Sequence, residues 1–510
     1  MKLLVSTPKN NVFKVNENKM RKLTLLFLIG IIGCTNSNIN QENISNRDVE
    51  NKLVEGIQNN LLPVHYLKGM ENNTSIQQMM EEERIPGVSI AFFENGRISW
   101  QKTYGYSNLN DSVKVTPNTI FNGASLSKPV TAMAALNLVD QGVLDLNEDV
   151  NYKLKDWKVP ENKFTAIEKV TLKRLISHTA GFDRYVQSSF FPEEEFPTIE
   201  QMLSGEKPSV DPAVSVVSVP GEKQVYSNPG YSVIEKLIED VTEKDFTSVI
   251  NELIFEPSNM NRSTFEQPVP DQIKESIATG YSNELEPYPY KLFPFKAAGG
   301  IWTTPTDLAN FLMTILEDYH SSTNSILSKR MTDSVFAKTP LRLGFAKIYN
   351  DQSQDMLFEH WGSNSGFTCY MVTSLKNKQG VVIMTNSDNG NYLMSYIART
   401  IAATYNWDFL QPIVYESTRV DETEVSKFTG EFTGGDEVLE FELVEGTLHF
   451  LNGADLASKL VPVAENKFLQ PNDNTLFEFL KDKDGEVKYV RMTKADGYNS
   501  DYLKNNKKND

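Results

Sequence analysis

Two short apolar runs joined by Asn-Gly constrain this chain more than any other feature. Residues 88–93 (VSIAFF) and 97–100 (RISW) flank Asn95-Gly96. Asn-Gly between such runs is the strongest short-range signal for a β-hairpin, because both turn positions take a positive φ. A second pair of strand candidates, residues 367–373 and 381–385, lies far downstream around Asn377-Lys378-Gln379-Gly380. Between the pairs the pattern is helical. Residues 125–141 end at Gly142, a good helix stop, and Thr304-Pro305-Thr306-Asp307 opens a periodic run to residue 316. Residues 391–405 are helical in pattern too. Strands at both ends of a helical middle predict an α/β fold of the α+β kind: an antiparallel sheet flanked by helices, with a helical subdomain.

After Pro412 the pattern changes to short strand-like runs with turn signals between them, among them residues 439–443, 447–451, 459–463, 476–479 and 487–492, with Asp484-Gly485 as a hairpin turn. This predicts a small all-β barrel or sandwich. A chain of 510 residues exceeds one ordinary core, so several units are expected. The divisions fall at residues 1–34 (leader), 35–60 (flexible tether), 61–411 (main unit) and 412–510 (β-barrel). A chain ended near Gln411 is expected to keep a foldable main unit, and the polar tail from Lys504 is expected to fray.

The leader has a basic start, Arg21-Lys22, and an apolar run over residues 23–32 too short to span a bilayer. Ile31-Ile32-Gly33-Cys34 resembles a bacterial lipobox, which implies lipid attachment at Cys34. The expectation is an exported protein held on a bacterial membrane, in the periplasm or at the cell surface, by its lipid anchor alone. Met20 directly precedes the basic pair and offers an alternative start. The formal net charge of −17 argues against nucleic acid, which requires clustered Lys and Arg. Two cysteines and five scattered histidines build no metal site, so neither metal nor other cofactor is expected.

Ser125-Leu126-Ser127-Lys128 opens the Gly142-terminated helix. Positions i and i+3 share a helix face, so a neutral Lys128 can take a proton from Ser125, and the helix start offers N–H groups to an oxyanion. Ser-x-x-Lys alone is cheap: it recurs at Ser6/Lys9, Ser99/Lys102 and Ser204/Lys207. So is Tyr-Ser-Asn, found at Tyr106, Tyr226 and Tyr281, though only Tyr226-Ser227-Asn228 is framed by Pro220-Gly221 and Pro229-Gly230. His360-Trp361-Gly362-Ser363 precedes the strand at 367. A glycine at a strand edge allows close backbone approach, and the next N–H can complete an oxyanion hole.

In this order and spacing the three elements resemble the serine β-lactamase and penicillin-binding-protein superfamily, known for S-x-x-K, a Tyr- or Ser-x-Asn element and a K-T-G strand. The Tyr-x-Asn form is that of class C β-lactamases, D-alanyl-D-alanine carboxypeptidases and related esterases. Leu175-Ile176-Ser177-His178-Thr179-Ala180-Gly181 and Ala298-Gly299-Gly300-Ile301-Trp302-Thr303-Thr304 match as well. The resemblance covers about residues 85–407, and the unit after Pro412 resembles an appended lipocalin-like barrel. It implies Ser125 as nucleophile, Lys128 as base, Tyr226 as second proton carrier and Asn228 as the group that orients Lys128 and substrate. The N–H groups of Ser125 and Ser363 would form the oxyanion hole. His360 stands where the family has lysine, and Trp361 where it has a small hydroxyl residue, crowding that edge. Ser127 reads as helix filler, with a further hydrogen-bond partner as the alternative. Both replacements favour a D-amino-acid peptidase or esterase, acting through an acyl-enzyme on a small peptide-like or ester substrate. A true class C-like β-lactamase and a catalytically idle binding or sensing module are the alternatives. An α/β-hydrolase is disfavoured because Gly123-Ala124-Ser125-Leu126-Ser127 lacks the second glycine of G-x-S-x-G.

Overall fold

The computed structural model describes residues 38–505, apart from 71–72, 184–186, 436 and 452–456, with side chains from residue 48 onward. Cys34 and the leader lie outside the described residues. The two expected hairpins sit side by side in one seven-stranded sheet. Its order is Val113–Lys114, Arg97–Asn108, Gly87–Glu94, Gln379–Thr385, Phe367–Ser374, Asp355–Asn364, Ala346–Asn350, and every pairing is antiparallel. Asn95 and Gly96 turn with φ of 50° and 76°, as the Asn-Gly signal requires. The seam between the hairpins runs from Val88 opposite Thr385 to Glu94 opposite Gln379.

Successive side chains of a strand point to opposite faces. Gly87–Glu94 uses this to feed two cores: Val88, Ile90 and Phe92 enter one, Ala91 and Phe93 the other. That is why the run is continuously apolar rather than alternating. The larger core holds the Ser127–Asp140 helix, which is buried almost all round, with the Asn228–Thr242 and Pro305–Ser321 helices. Thr304 caps the last of these, accepting from the Asp307 N–H at 3.2 Å. On the other face lies the Gly390–Thr404 helix, with Leu393, Met394, Ile397 and Ile401 buried.

Helix also runs over Asn38–Asn59, where the composition predicts a flexible tether through residue 60. Val54 and Ile57, one helical turn apart, and Leu61 just past the helix end bury in the second core, so ordered structure begins before residue 61.

The C-terminal sheet has nine antiparallel strands, in the order Ala457–Lys459, Thr447–Leu451, Glu437–Val444, Gly430–Gly434, Asn499–Lys504, Val487–Thr493, Thr475–Lys481, Lys467–Gln470, Val461–Ala464. The expected single run over 459–463 is divided: Leu460 alone separates the first strand in this order from the last, so the chain itself all but closes the barrel. Phe428, Phe432, Phe441, Phe450, Phe468, Phe477 and Phe479 fill the interior. Asn499–Lys504 is the last strand, and the tail expected to fray lies, from residue 506 on, outside the described residues. Barrel and hydrolase-like part share one compact unit, residues 53–510. His65–Leu67 pairs in parallel with Ile413–Tyr415, and Ala495 enters the second core.

Candidate active site

The Phe121–Ala124 strand leads into the turn that carries Ser125, the candidate nucleophile. Ala124 has φ of +45°, a left-handed conformation that costs energy for a residue with a Cβ. Asn122 Oδ1 holds the bend by accepting from the Ala124 N–H at 3.0 Å and from Asn364 Nδ2 at 2.7 Å. The helix then starts at Ser127, so Ser125 stands just ahead of it rather than within its first turn. Lys128 is fully buried. Its Nζ donates to Ser125 Oγ at 3.0 Å and to the Ala298 carbonyl at 2.6 Å, and lies 4.8 Å from the centre of the Tyr226 ring. Burial drives the Lys128 pKa well below its ordinary value, which favours the neutral amine needed in a base. Ser127 is a latch rather than filler: its hydroxyl donates to the Ala124 carbonyl at 2.6 Å and accepts from the Ile301 N–H at 3.0 Å.

Ser125, Tyr226, Asn228, Gly362 and Ser363 line a single cleft of about 800 Å³. The expected bond from Asn228 to Lys128 is not among the Nζ partners, because the Ala298 carbonyl takes that place. Asn228 Oδ1 is buried in the cleft wall without a partner, an acceptor available to a substrate N–H. Gly362 is required by the protein's own backbone. A Cβ there would come 2.5 Å from Cys369 Sγ, 2.7 Å from the Gly123 carbonyl and 3.2 Å from the Ser125 nitrogen. Glycine therefore lets the Asp355–Asn364 strand lie directly against the nucleophile turn. Cys369, buried, donates its thiol to the Gly123 carbonyl at 3.0 Å.

His360 stands at the cleft edge, 6.5 Å from Tyr226 between ring centres. Its Nδ1–H donates to the Trp361 carbonyl at 2.7 Å, and burial, then Lys128, hold its pKa well below the usual histidine range. It is neutral where a lysine would be charged. Trp361 lines the cleft, but its ring lies on Tyr370 at 3.7 Å. Two further groups support the site without having been singled out in the sequence. His178, with φ of +59°, packs 4.4 Å from Tyr226, and its Nδ1 accepts from the Ser227 N–H at 3.1 Å. Burial, then Lys128, lower its pKa. Glu235 is buried beneath the Lys128 acceptor, accepts from the Ala297 N–H at 2.9 Å, and is pushed by burial up to about 8. The only signal for His178 was its place in the Leu175–Gly181 stretch; Glu235 gave none.

Comparison with known proteins decides the family. The model of the family described as Beta-lactamase matches residues 73–406. The chain belongs to the β-lactamase family. Among relatives, Protein flp of Staphylococcus aureus strain MW2 is 24% identical over 330 residues, 62% of each chain. The match thus spans less than two thirds of that relative. The teichoic acid D-alanine hydrolase of S. aureus strain NCTC 8325 is 27% identical, over 59% of this chain and 70% of its own. Of solved structures, the octameric penicillin-binding protein homologue from Pyrococcus abyssi is 25% identical with a TM-score of 0.57, covering 84% of this chain and 98% of its own. SurE with D-Leu shares the β-lactamase fold with this chain at 17% identity and a TM-score of 0.51.

Proposed function

We propose that this protein is a serine hydrolase that cleaves an ester or amide bond through an acyl-enzyme on Ser125, as a D-amino-acid peptidase or esterase rather than a β-lactamase. The observation that carries the reading is the 3.0 Å contact of a fully buried Lys128 with Ser125 Oγ. Neutral Lys128 takes the Ser125 proton as Oγ bonds to the substrate carbonyl carbon. The N–H groups of Ser125 and Ser363 receive the oxyanion, and the proton passes by way of Tyr226 to the leaving group as the scissile bond breaks. Water then adds to the acyl-enzyme and Ser125 regains its proton. Asn228 Oδ1 accepts from the substrate. Neutral His360 supports the choice of class, because it offers no fixed cation to the carboxylate that penicillins carry. The relative that hydrolyses D-alanine from teichoic acid supports an acyl group of D configuration.

Intact mass after exposure to a fluorophosphonate and, separately, a penicillin tests this on wild type and Ser125→Ala. The expected result is a fluorophosphonate adduct on wild type alone, with weak or short-lived penicillin labelling. No adduct from either reagent would move the reading to a binding module. We also propose that Cys34 is lipidated and holds the protein on the exported side of a bacterial membrane. Metabolic labelling with an alkyne fatty acid should mark wild type and spare Cys34→Ser; equal labelling of both removes the anchor.

A further inference from the structure

The described lining of the cleft is almost free of charge. Among its described lining residues Asp388 alone carries a formal charge, and no lysine or arginine takes part. Asp388 makes no ion pair among the described residues; its partners are neutral donors, the Gly366 N–H at 2.6 Å and the Tyr288 hydroxyl at 2.9 Å. These bonds orient the carboxylate and leave its charge unmatched. An asparagine would serve the Gly366 N–H equally well, so the fold alone does not call for an anion here. Its seat is rigid. Gly366 has φ of +78° and packs so closely that a Cβ would meet the Gly280 backbone at 2.6 Å. Arg342, an exposed cation whose field reaches His178, Glu359 and His360 alongside that of Lys128 at the two histidines, does not line the cleft. A half-buried anion in a cleft whose nearby Asn228 acceptor is also unsatisfied is complementary to a donor-rich cation.

We infer that Asp388 is a specificity residue that binds an ammonium group on the substrate, set well apart from the carbonyl that Ser125 attacks; this rests on the hydrolase reading above. Gly362, which lies against the Ser125 nitrogen, and Gly366, which bonds Asp388, are separated by the end of one strand and its turn. Four residues of strand and turn, at most roughly 13 Å of chain, thus set the carboxylate off along the cleft from the nucleophile. An α-ammonium sits too close to its own carbonyl to bridge that span. The ω-ammonium of a diamino acid has the reach, and the acyl group is assigned that chemistry.

The p-nitrophenyl esters of Nα-acetyl-D-lysine and of the same acid acetylated at Nε as well test this. Wild type should prefer the ammonium ester by about tenfold or more in kcat/KM. Asp388→Asn should bring the ratio near one while still hydrolysing the diacetyl ester. Tyr288→Phe, which removes a hydrogen bond but keeps the charge, should retain the preference. A wild-type ratio near one, or an Asp388→Asn loss equal on both esters, overturns the inference. Calorimetry of Nα-acetyl-D-lysine amide on Ser125→Ala separates the two readings. Binding that Asp388→Asn abolishes, together with a wild type that turns over neither ester, keeps the cation site and sinks the hydrolase. Absence of binding sinks the cation site whatever the turnover.

Discussion

In the barrel, Leu439 and Phe441 are buried while Glu440 and Glu442, alternating with them, face water, and seven phenylalanines pack against one another in the interior. Around the cleft the choices run the other way. Lys128 is buried and donates to a hydroxyl and a carbonyl, neither of them charged, Glu235 is buried and pushed up to about 8, and Ala124 and His178 are held at positive φ. Asn228 leaves a buried oxygen unsatisfied. In the barrel, local pattern and tertiary packing agree, so each residue adds to stability. The cleft holds groups that burial destabilises, and the surrounding core of Phe121, Leu126, Tyr231 and Phe295 keeps them in place. The difference separates a part built for stability from a part built for chemistry.

Three changes sharpen or break that contrast. The largest effect is expected at Lys128. Lys128→Met should lower the rate of Ser125 labelling by about 10²- to 10⁴-fold, the usual span for a lost general base. It should also raise thermal stability at pH 7. Burial holds the folded-state pKa of Lys128 below its unfolded value, so at pH below the unfolded value burying it opposes folding; that cost fades as pH rises toward the unfolded value. Slower labelling without a gain in melting temperature would break the comparison. Next is the barrel. Phe479→Ala removes a ring that touches Phe428, Phe432, Phe441 and Phe468, and should cost about 3–5 kcal/mol in chemical denaturation while native Ser125 labelling stays at the wild-type rate. A parallel fall in labelling would show that the barrel supports the cleft. The smallest effect is at Glu235. Its raised pKa means the folded state holds a proton that the unfolded chain releases from about pH 4.5, so wild-type stability should decline as pH climbs through about 8. Glu235→Gln should flatten that slope; an unchanged slope assigns it to other groups.

The contrast also explains what was legible in advance. Both hairpins, the helix ending before Gly142 and the barrel strands were readable, because each is specified by neighbours in sequence: Asn95-Gly96 for a turn, alternation in residues 439–442 for a strand with one wet face. Ser125, Lys128 and Tyr226 were readable as a set because motif spacing survives where propensity says little. The misreadings share one cause. Ser127 looked like filler because its partners, Ala124 and Ile301, are joined only by folding. Asn228 was assigned to Lys128 before the Ala298 carbonyl was known to stand there. The tether was read from polar composition over residues 35–60, against which Val54, Ile57 and Leu61 were too sparse to count.

By itself the sequence determined the α+β class and the change of architecture after Pro412, and it named Ser125, Lys128 and Tyr226 as the candidate trio, since periodicity, turn chemistry and motif spacing are local properties. Only the tertiary structure decided which groups are neutral and which face the cleft. The burial of Lys128, the state of His360, the glycine demanded at 362 and the lone charge of Asp388 all depend on what distant segments bring alongside. Desolvation and close contact are properties of surroundings, and a residue's surroundings exist only once the chain has folded.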